Sequence, residues 1–134
     1  MKESLIVGVI NRSIGQKNRL CLPAEYEAAS ENLYAILYEK YMSIYSENVL
    51  KNKFELSEDD YSTMEILSVD GGRRTIINDK LLNLYNIKKD LLLVGKNDHF
   101  DIVSIENLED YNKEKKNDKI LKNNYDIVLV RKED

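Results

Sequence analysis

The chain has 134 residues, of which 43% are hydrophobic and 33% are charged. A chain of this size and composition forms one soluble globular domain, or two small halves that share a core, which excludes both an intrinsically disordered protein and a large separate catalytic domain. The formal net charge of −4 disfavours nucleic-acid binding over the whole surface, so any contact with DNA requires a local basic patch.

The sequence contains nothing typical of a membrane-spanning or secreted protein. No apolar run approaches the roughly 20 residues that cross a bilayer, and residues 1–11 become polar too soon for a secretory signal. We therefore expect a cytosolic location. The single cysteine, Cys21, excludes an internal disulfide and a thiolate metal cluster, and its position between Leu20 and Leu22 predicts a buried side chain.

The first predicted elements are a turn, a strand, a helix and a hairpin. Residues 14–19 form the turn before a short strand, and Pro23 lies where the first turn of a helix tolerates proline. The helix is predicted over residues 24–32. An apolar run over 33–38 and an alternating run over 41–46 predict two strands joined by a two-residue hairpin turn.

A second set of elements repeats this order, and Arg19 and Arg74 occupy the same position in the two turns. Between the sets, residues 47–56 predict a weakly amphipathic helix, and residues 57–62 predict an acidic linker. The repeat consists of a turn over residues 69–74, a strand over 75–78, a helix over 79–90, and strands over 91–95 and 99–104 joined by a short turn.

The remaining residues predict a C-terminal extension. Ile105, Leu108 and Tyr111 recur at helical spacing, so the first half of residues 105–124 is predicted to be helical, and residues 127–130 predict a terminal strand. The duplication indicates a β-rich α+β fold with two pseudo-symmetric modules. We divide the chain into a first half at residues 1–56, a linker at 57–62, a second half at 63–118 and an extension at 119–134.

The second turn contains two glycines followed by Arg73 and Arg74, a composition suited to binding an anion. It lacks the spacing of a nucleotide phosphate loop and precedes a strand where that motif requires a helix. A hairpin turn fits better, with glycine at the positive-φ position and both arginines projecting. The first turn carries Lys17 and Arg19. Two interpretations stay open: two DNA-binding basic turns, or ordinary polar turns in which Asp70 forms a surface salt bridge with Arg74.

Catalytic and metal-binding patterns are not found in the sequence. His99 is the only histidine, which leaves no Ser-His-Asp triad, Cys-His pair or zinc site to propose. The acidic run of residues 58–60 lacks the spaced ligands of a calcium loop, so a solvated linker is the better interpretation. For four tyrosines we favour packing at a core edge or a protein interface over stacking on nucleic-acid bases: Tyr34, Tyr38, Tyr41 and Tyr45.

The second module resembles the second half of MraZ proteins, whose pattern is D-x-x-G-R, an apolar triplet, a leucine-rich helix and VG-x-x-x-x-FEIW. The resemblance covers roughly residues 5–112. The matching residues of the second module are Asp70, Arg74, Ile76, Ile77, Leu81, Leu82, Tyr85, Val94, Gly95, Phe100 and Ile102. Those of the first module are Lys17, Arg19, Leu20, Leu22, Pro23 and Tyr26.

Four positions depart from the family pattern. Gly15 stands in place of the first aspartate, and Asn18 and Arg73 stand in place of the two turn glycines. In the last strand Val103 stands in place of tryptophan. The missing carboxylate at position 15 is expected to leave Arg19 freer to move, which relaxes its positioning without removing its attraction to phosphate.

The resemblance implies an AbrB-like fold in which two swapped-hairpin modules of one chain form one double-split β-barrel with short helices. It also implies a cytoplasmic, nucleoid-associated transcriptional regulator, chiefly a repressor of the division and cell-wall gene cluster, which assembles into a homo-oligomeric ring and binds repeated promoter sites in double-stranded DNA. No enzyme activity, cofactor, metal, small-molecule substrate or membrane partner is implied. The residues implied to face DNA are Lys17, Arg19, Arg73 and Arg74, with Asp70 orienting an arginine.

The main alternative is a protein-interaction module, such as the antitoxins of this fold, that keeps the barrel but has lost its operator contacts. An enzyme of unrecognised type is the third and least favoured option. A DNA-binding protein needs both basic turns on one face, whereas buried guanidinium groups or two differently folded halves would exclude it.

Overall fold

The computed structural model describes residues 8–23 and 32–113, and the backbone alone of residues 120–122, 125–127 and 130–131. Its helices are α1 (Glu47–Lys53), α2 (Glu58–Ser62), α3 (Asp79–Leu84) and α4 (Leu108–Lys113). Its strands are β1 (Val9–Ser13), β2 (Arg19–Cys21), β3 (Asn32–Leu37), β4 (Tyr41–Ser46), β5 (Phe54–Glu55), β6 (Glu65–Ser68), β7 (Arg74–Ile76), β8 (Asp90–Gly95), β9 (Phe100–Ser104), β10 (Ile120–Lys122), β11 (Tyr125–Ile127) and β12 (Val130–Arg131).

Six strands form one antiparallel sheet in the order β1-β8-β9-β4-β3-β6. Strand β1 of the first module pairs with β8 of the second, and β6 of the second module pairs with β3 of the first. The register is the same on both sides, because Ser13 lies opposite Asp90 and the equivalent Ser68 lies opposite Asn32. Each module therefore contributes one strand to the other, in a pseudo-twofold arrangement.

The pseudo-twofold axis passes between β4 and β9, where Ser43 lies opposite Asp101. Both side chains are buried, and the Ser43 hydroxyl donates to Asp101 Oδ1 over 2.5 Å. The Tyr111 hydroxyl of α4 donates to Asp101 Oδ2 over 2.6 Å. Burial raises the pKa of Asp101, while the two hydroxyl donors partly offset that effect.

The core lies on both faces of the sheet. On one face, side chains such as Met42, Ile44 and Phe100 pack against a second layer, whose buried residues are Leu20, Leu22, Ile77, Leu81, Tyr85 and Ile87. On the other face α1 and its following strand cover Ile36 and Tyr45 through Leu50 and Phe54, and α4 covers Tyr41 and Val103 through Tyr111. The sheet thus lies between two layers, and both of its apolar faces are buried.

The predicted β-rich α+β class with short helices is confirmed, but no closed barrel is found among the described residues. Strands β1 and β6 form the two edges of the six-stranded sheet, and β2 and β7 pair only with each other. The strands on either side of each basic turn were expected to form a hairpin together. That expectation is wrong, because β1 and β6 join the large sheet while β2 and β7 leave it.

Two helical segments differ from their predicted extent. The helix expected over residues 79–90 ends at Leu84, because Asn86 takes a left-handed backbone conformation with φ of 59°. The acidic linker expected over residues 57–62 contains α2. Ser57 caps this helix by accepting from the Asp60 N–H, and the Asp60 carboxylate accepts from the Ser57 N–H in return.

Other predicted elements agree with the structure or lie outside it. Both hairpins close as predicted, through bonds from the Tyr38 N–H to the Tyr41 carbonyl and from the Lys96 N–H to the His99 carbonyl. Most of the helix predicted over residues 24–32 lies outside the described residues, and Asn32 begins β3. In the region of the predicted terminal strand, β11 ends at Ile127 and β12 begins at Val130, opposite Glu55 of β5.

The tyrosines predicted to lie at a core edge or an interface divide into two pairs. Tyr41 and Tyr45 are buried in the clusters beneath α4 and α1, which agrees with packing at a core edge rather than stacking on nucleic-acid bases. Tyr34 and Tyr38 are half-buried, and the Tyr38 ring stacks on Tyr41 with 4.9 Å between ring centroids. None of the four described helices has the length and apolar character that a bilayer crossing requires.

Candidate nucleic-acid interface

The two basic turns meet through the β2–β7 ribbon. In its register Arg19 lies opposite Ile76, Leu20 opposite Thr75, and Cys21 opposite Arg74. Further bonds extend the ribbon at both ends, from the Leu22 N–H to the Arg73 carbonyl over 2.8 Å and from the Ile77 N–H to the Asn18 carbonyl over 3.0 Å. These bonds are related by the same pseudo-twofold axis, so the equivalent turns are held in matching positions.

Side-chain alternation gives the ribbon one buried and one exposed face. Leu20 and Thr75 point inward and are 0% and 2% exposed. Directly opposite residues share a face of an antiparallel pair, so the exposed side chains form one surface, which we call the ribbon face: Arg19, Cys21, Arg74 and Ile76. Arg19 and Arg74 are diagonal neighbours on this face, with Cα atoms roughly 7–8 Å apart by the usual spacing.

The exposed position of Cys21 corrects the prediction of a buried thiol. The same alternation that buries Leu20 and Leu22 turns the residue between them outward. Two leucines flanking a cysteine in a strand were therefore a signal for exposure of the cysteine.

In the second turn Asp70 holds both the backbone and the guanidinium of the following arginine. Its Oδ1 accepts from the Gly72 N–H over 2.8 Å and from the Arg74 N–H over 3.0 Å, and its Oδ2 lies 3.3 Å from Arg74 Nε. The backbone bond from Arg74, with smaller contributions from Gly72 and the guanidinium, lowers the pKa of Asp70. The salt bridge considered for this pair is thus present, and it leaves the Arg74 side chain 46% exposed.

Positive φ in the turns does not fall on the glycines. Arg73 has φ of 59°, whereas neither Gly71 nor Gly72 has a positive φ, so the expected role of glycine there is wrong. In the first turn Lys17 and Asn18 have φ of 57° and 60°. Asn18 and Arg73 are the residues that replace glycine in the family pattern. Both turns therefore keep the left-handed conformation at the position before the arginine, without the residue that adopts it most easily.

The first turn lacks the carboxylate of the second. Gly15 has an extended backbone with φ of −89°, and a Cβ added there would meet the Arg19 carbonyl oxygen at 3.6 Å, an ordinary contact. Both turns have the bond that closes them, from the Gly15 N–H to the Arg19 carbonyl and from the Asp70 N–H to the Arg74 carbonyl. The first turn has in addition the Asn18 amide, which donates to Asp79 Oδ1 over 2.8 Å.

The sequence-predicted cations all lie on the protein surface around the ribbon. Lys17, Arg19, Arg73 and Arg74 are exposed. Only Arg74 forms an ion pair with another described residue. Two carboxylates beside the turns are engaged, Asp70 with Arg74 and Asp79 with Asn18. This arrangement presents hydrogen-bond donors and positive charge to an anion such as a phosphate.

Sequence reasoning missed two residues beside these cations. Arg12 of β1 donates from Nε to the Cys21 carbonyl over 3.1 Å, which places a further guanidinium at the end of the ribbon. Ile76 is 57% exposed although it is a large aliphatic side chain. A signal for Ile76 existed, because it alternates with the buried Thr75 and Ile77 in the strand that follows Arg74.

Away from the ribbon, His99, Asp98 and Lys53 contact one another. His99 stacks on Tyr45, its Nδ1 lies 2.6 Å from Asp98 Oδ1, and burial lowers its pKa although Asp98 acts in the opposite direction. Lys53 lies 3.5 Å from the same carboxylate oxygen. Among the described residues no three His, Cys, Asp or Glu side chains are grouped to hold a metal ion.

Comparison with known proteins bears on this surface. No family model matches the chain. The chain is 24% identical to the transcriptional regulator MraZ of Ureaplasma urealyticum serovar 10 (strain ATCC 33699 / Western), over an alignment of 129 residues. It is similar to a transcriptional regulator. The alignment covers 80% of this chain and 86% of that protein, and it supports a distant MraZ-like relationship.

Proposed function

We propose that this chain is an MraZ-like transcriptional regulator that binds double-stranded DNA through the ribbon face and the two basic turns beside it. The observation that carries the proposal is the shared exposure of Arg19 and Arg74 on one face of a ribbon built equally by the two modules. The exposure of the guanidinium groups and the equal strand pairing of the two halves support the proposal. The distant similarity to a transcriptional regulator supports the same conclusion.

The net charge of −4 does not oppose this proposal, because the field at a binding surface is local. Around the ribbon face, Lys17, Arg19 and Arg73 have no ion pair with another described residue, and Arg12 adds a further cation. Acidic residues elsewhere, such as those of α2, occupy the first turn of a helix, where negative charge is favourable.

A salt titration tests the phosphate contacts. The affinity for a duplex from the promoter upstream of the gene, and for a shuffled duplex of equal length, is measured between low and moderate salt. Arg19→Ala should weaken binding to both duplexes and reduce the salt slope by about one unit. The control is Lys88→Ala, which removes an exposed cation outside the turns, paired with Glu106. Identical slopes for wild type and Arg19→Ala would remove Arg19 from the interface.

We extend the proposal to an AbrB-like fold with two swapped-hairpin halves at residues 1–56 and 63–118. The exchange of β1 and β6 between modules supports this assignment, as does the two-stranded ribbon that sits apart from the sheet. In this fold the halves are interdependent, because each edge strand completes the sheet of the other half. Separately expressed halves are expected to remain unfolded alone and to recover β-structure when mixed, as circular dichroism would report.

We also propose that several copies act together as a cytoplasmic, nucleoid-associated repressor on repeated promoter sites. One subunit offers only a few free cations, so linkage between subunits must raise the effective concentration of contacts. Duplexes with one and with three copies of a bound site should then differ in affinity by well over threefold. Equal affinity per site, or a monomer in analytical ultracentrifugation, would contradict the multivalent arrangement and leave a single-site regulator or a protein-interaction module.

A further inference from the structure

We infer that Ile76 is a base-reading side chain that contacts the C5-methyl group of thymine, and this inference rests on the proposed DNA-binding function. Ile76 lies opposite Arg19 in the β2–β7 register, so the two side chains share the ribbon face. The isoleucine is 57% exposed, whereas its chain neighbours Thr75 and Ile77 are buried. It therefore presents an apolar surface within a cluster of cations.

The space beside Ile76 is open to a ligand. A shallow recess of about 450 Å³ runs between β6 and β7, and Ile66, which is 59% exposed, forms its second apolar wall. Arg19 and Arg74 lie on the same recess, together with the polar Ser68 and Asp70. Apolar surface bordered by guanidinium groups matches a partner that displays both a methyl group and hydrogen-bond acceptors.

The major groove of DNA is such a partner. It admits a two-stranded β-ribbon, and among the four bases only thymine displays a methyl group there. Arginine prefers the O6 and N7 acceptors of guanine, whereas apolar side chains contact the thymine methyl. An arginine and an isoleucine side by side on one ribbon therefore fit a site in which thymine lies near a guanine.

The two modules differ in the residue at the position of this contact. The position equivalent to Ile76 in the first module is Cys21, which lies opposite Arg74 as Ile76 lies opposite Arg19. Cysteine is shorter and offers less apolar surface than isoleucine. The two halves of a bound site are thus unequal, and the half that faces Ile76 has the stronger dependence on thymine.

Deoxyuridine substitution tests the inference, since this base lacks only the C5-methyl group. A duplex selected from a random library by the wild-type chain is synthesised with each thymine replaced in turn. One thymine position should lose about fourfold in affinity, the effect expected for one buried methyl group. Ile76→Ser should bind both versions of that position equally. Ile105→Ser, which removes an isoleucine 50% exposed outside the ribbon, should retain the wild-type preference. Cys21→Ile should create a second position that depends on thymine.

The possible outcomes separate the inference from the function on which it rests. A wild-type chain that binds no duplex overturns both. A chain that binds the selected duplex but does not distinguish thymine from deoxyuridine at any position overturns the role of Ile76 and leaves the DNA-binding proposal intact. Persistence of the preference in Ile76→Ser assigns the methyl contact to another residue and also overturns the inference. Circular dichroism of each variant shows that a loss of preference is not a loss of fold.

Discussion

Asn18 and Arg73 occupy equivalent positions in the two basic turns, and both have left-handed backbone conformations, with φ of 60° and 59°. Each precedes the arginine of its turn. The Asn18 carbonyl accepts a hydrogen bond from the Ile77 N–H, and the Arg73 carbonyl accepts one from the Leu22 N–H. The conformation is therefore a requirement of the ribbon. Asparagine tolerates it through its short polar side chain, whereas arginine has no such compensation.

Arg73→Gly is expected to raise the free energy of unfolding by about 0.5–1 kcal/mol, because relief of the left-handed strain exceeds the entropy that glycine adds to the unfolded chain. Asn18→Gly is the matched control. It relieves less strain and loses the amide bond to Asp79, so it should be neutral or destabilising. Urea denaturation at neutral pH measures both. If Arg73→Gly is destabilised, the Arg73 side chain stabilises the folded state by more than the left-handed backbone conformation destabilises it.

Gly15→Asp should restore to the first turn the carboxylate that the second turn has. By analogy with Asp70, its oxygens would accept from the Lys17 N–H and pair with the Arg19 guanidinium, whereas the Arg19 N–H already donates to the Gln16 carbonyl. A gain of about 0.5–1.5 kcal/mol in stability is expected, the usual net contribution of a hydrogen bond. Asp70→Gly, the reverse change in the second turn, should lose stability. Thermal unfolding of both variants decides whether the two turns are energetically equivalent, and a loss in Gly15→Asp would show that they are not.

Asp101 should make stability depend on pH in the direction opposite to Asp70. Burial raises its pKa above 3.8 in the folded state, so the folded state binds a proton more tightly than the unfolded state. That contribution is present below the unfolded pKa and is lost as pH rises through the raised folded value. The stability of Asp101→Asn relative to wild type should therefore rise with pH in this window.

Urea denaturation at a series of pH values measures this difference, in which the other carboxylates cancel. Asp70→Asn is the control of opposite sign. The pKa of Asp70 is lowered, so its contribution is present above the unfolded value of 3.8 and is lost as pH falls through the folded value. A flat difference for Asp101→Asn would mean that Ser43 and Tyr111 balance the effect of burial.

Thr75→Val should stabilise the protein by about 1 kcal/mol, because it removes a buried polar group and keeps the shape of the side chain. Thr75 is 2% exposed, and its hydroxyl has no hydrogen-bond partner among the described residues. Its counterpart across the pseudo-twofold axis is the apolar Leu20. Equilibrium unfolding measures the change, with Thr63→Val as the control, since the Thr63 hydroxyl donates to the Asp60 carbonyl over 2.6 Å. Equal effects of the two substitutions would contradict the argument.

The sequence by itself determined the local elements and their duplication. The run over residues 41–46 predicted β4 with the bounds that the strand has, although the strand is buried on both faces, and the helix predicted to begin at residue 79 begins there, where Asn78 caps it. These signals are local, because alternation, capping and helical spacing act between residues a few positions apart. The turn arginines could be located in the same way, since Arg19 and Arg74 stand at equal positions in two similar segments.

Only the tertiary structure decided which strands pair and what each face of the ribbon presents. The exchange of β1 and β6 between modules joins residues far apart in sequence, such as Ser13 and Asp90, and depends on complementary surfaces that local patterns do not encode. The same pairing turned Cys21 outward, placed Ile76 beside Arg19, and required the left-handed conformation of Arg73. Alternation shows that neighbours point in opposite directions, but the direction that leads to the core is set by the element packed against the strand.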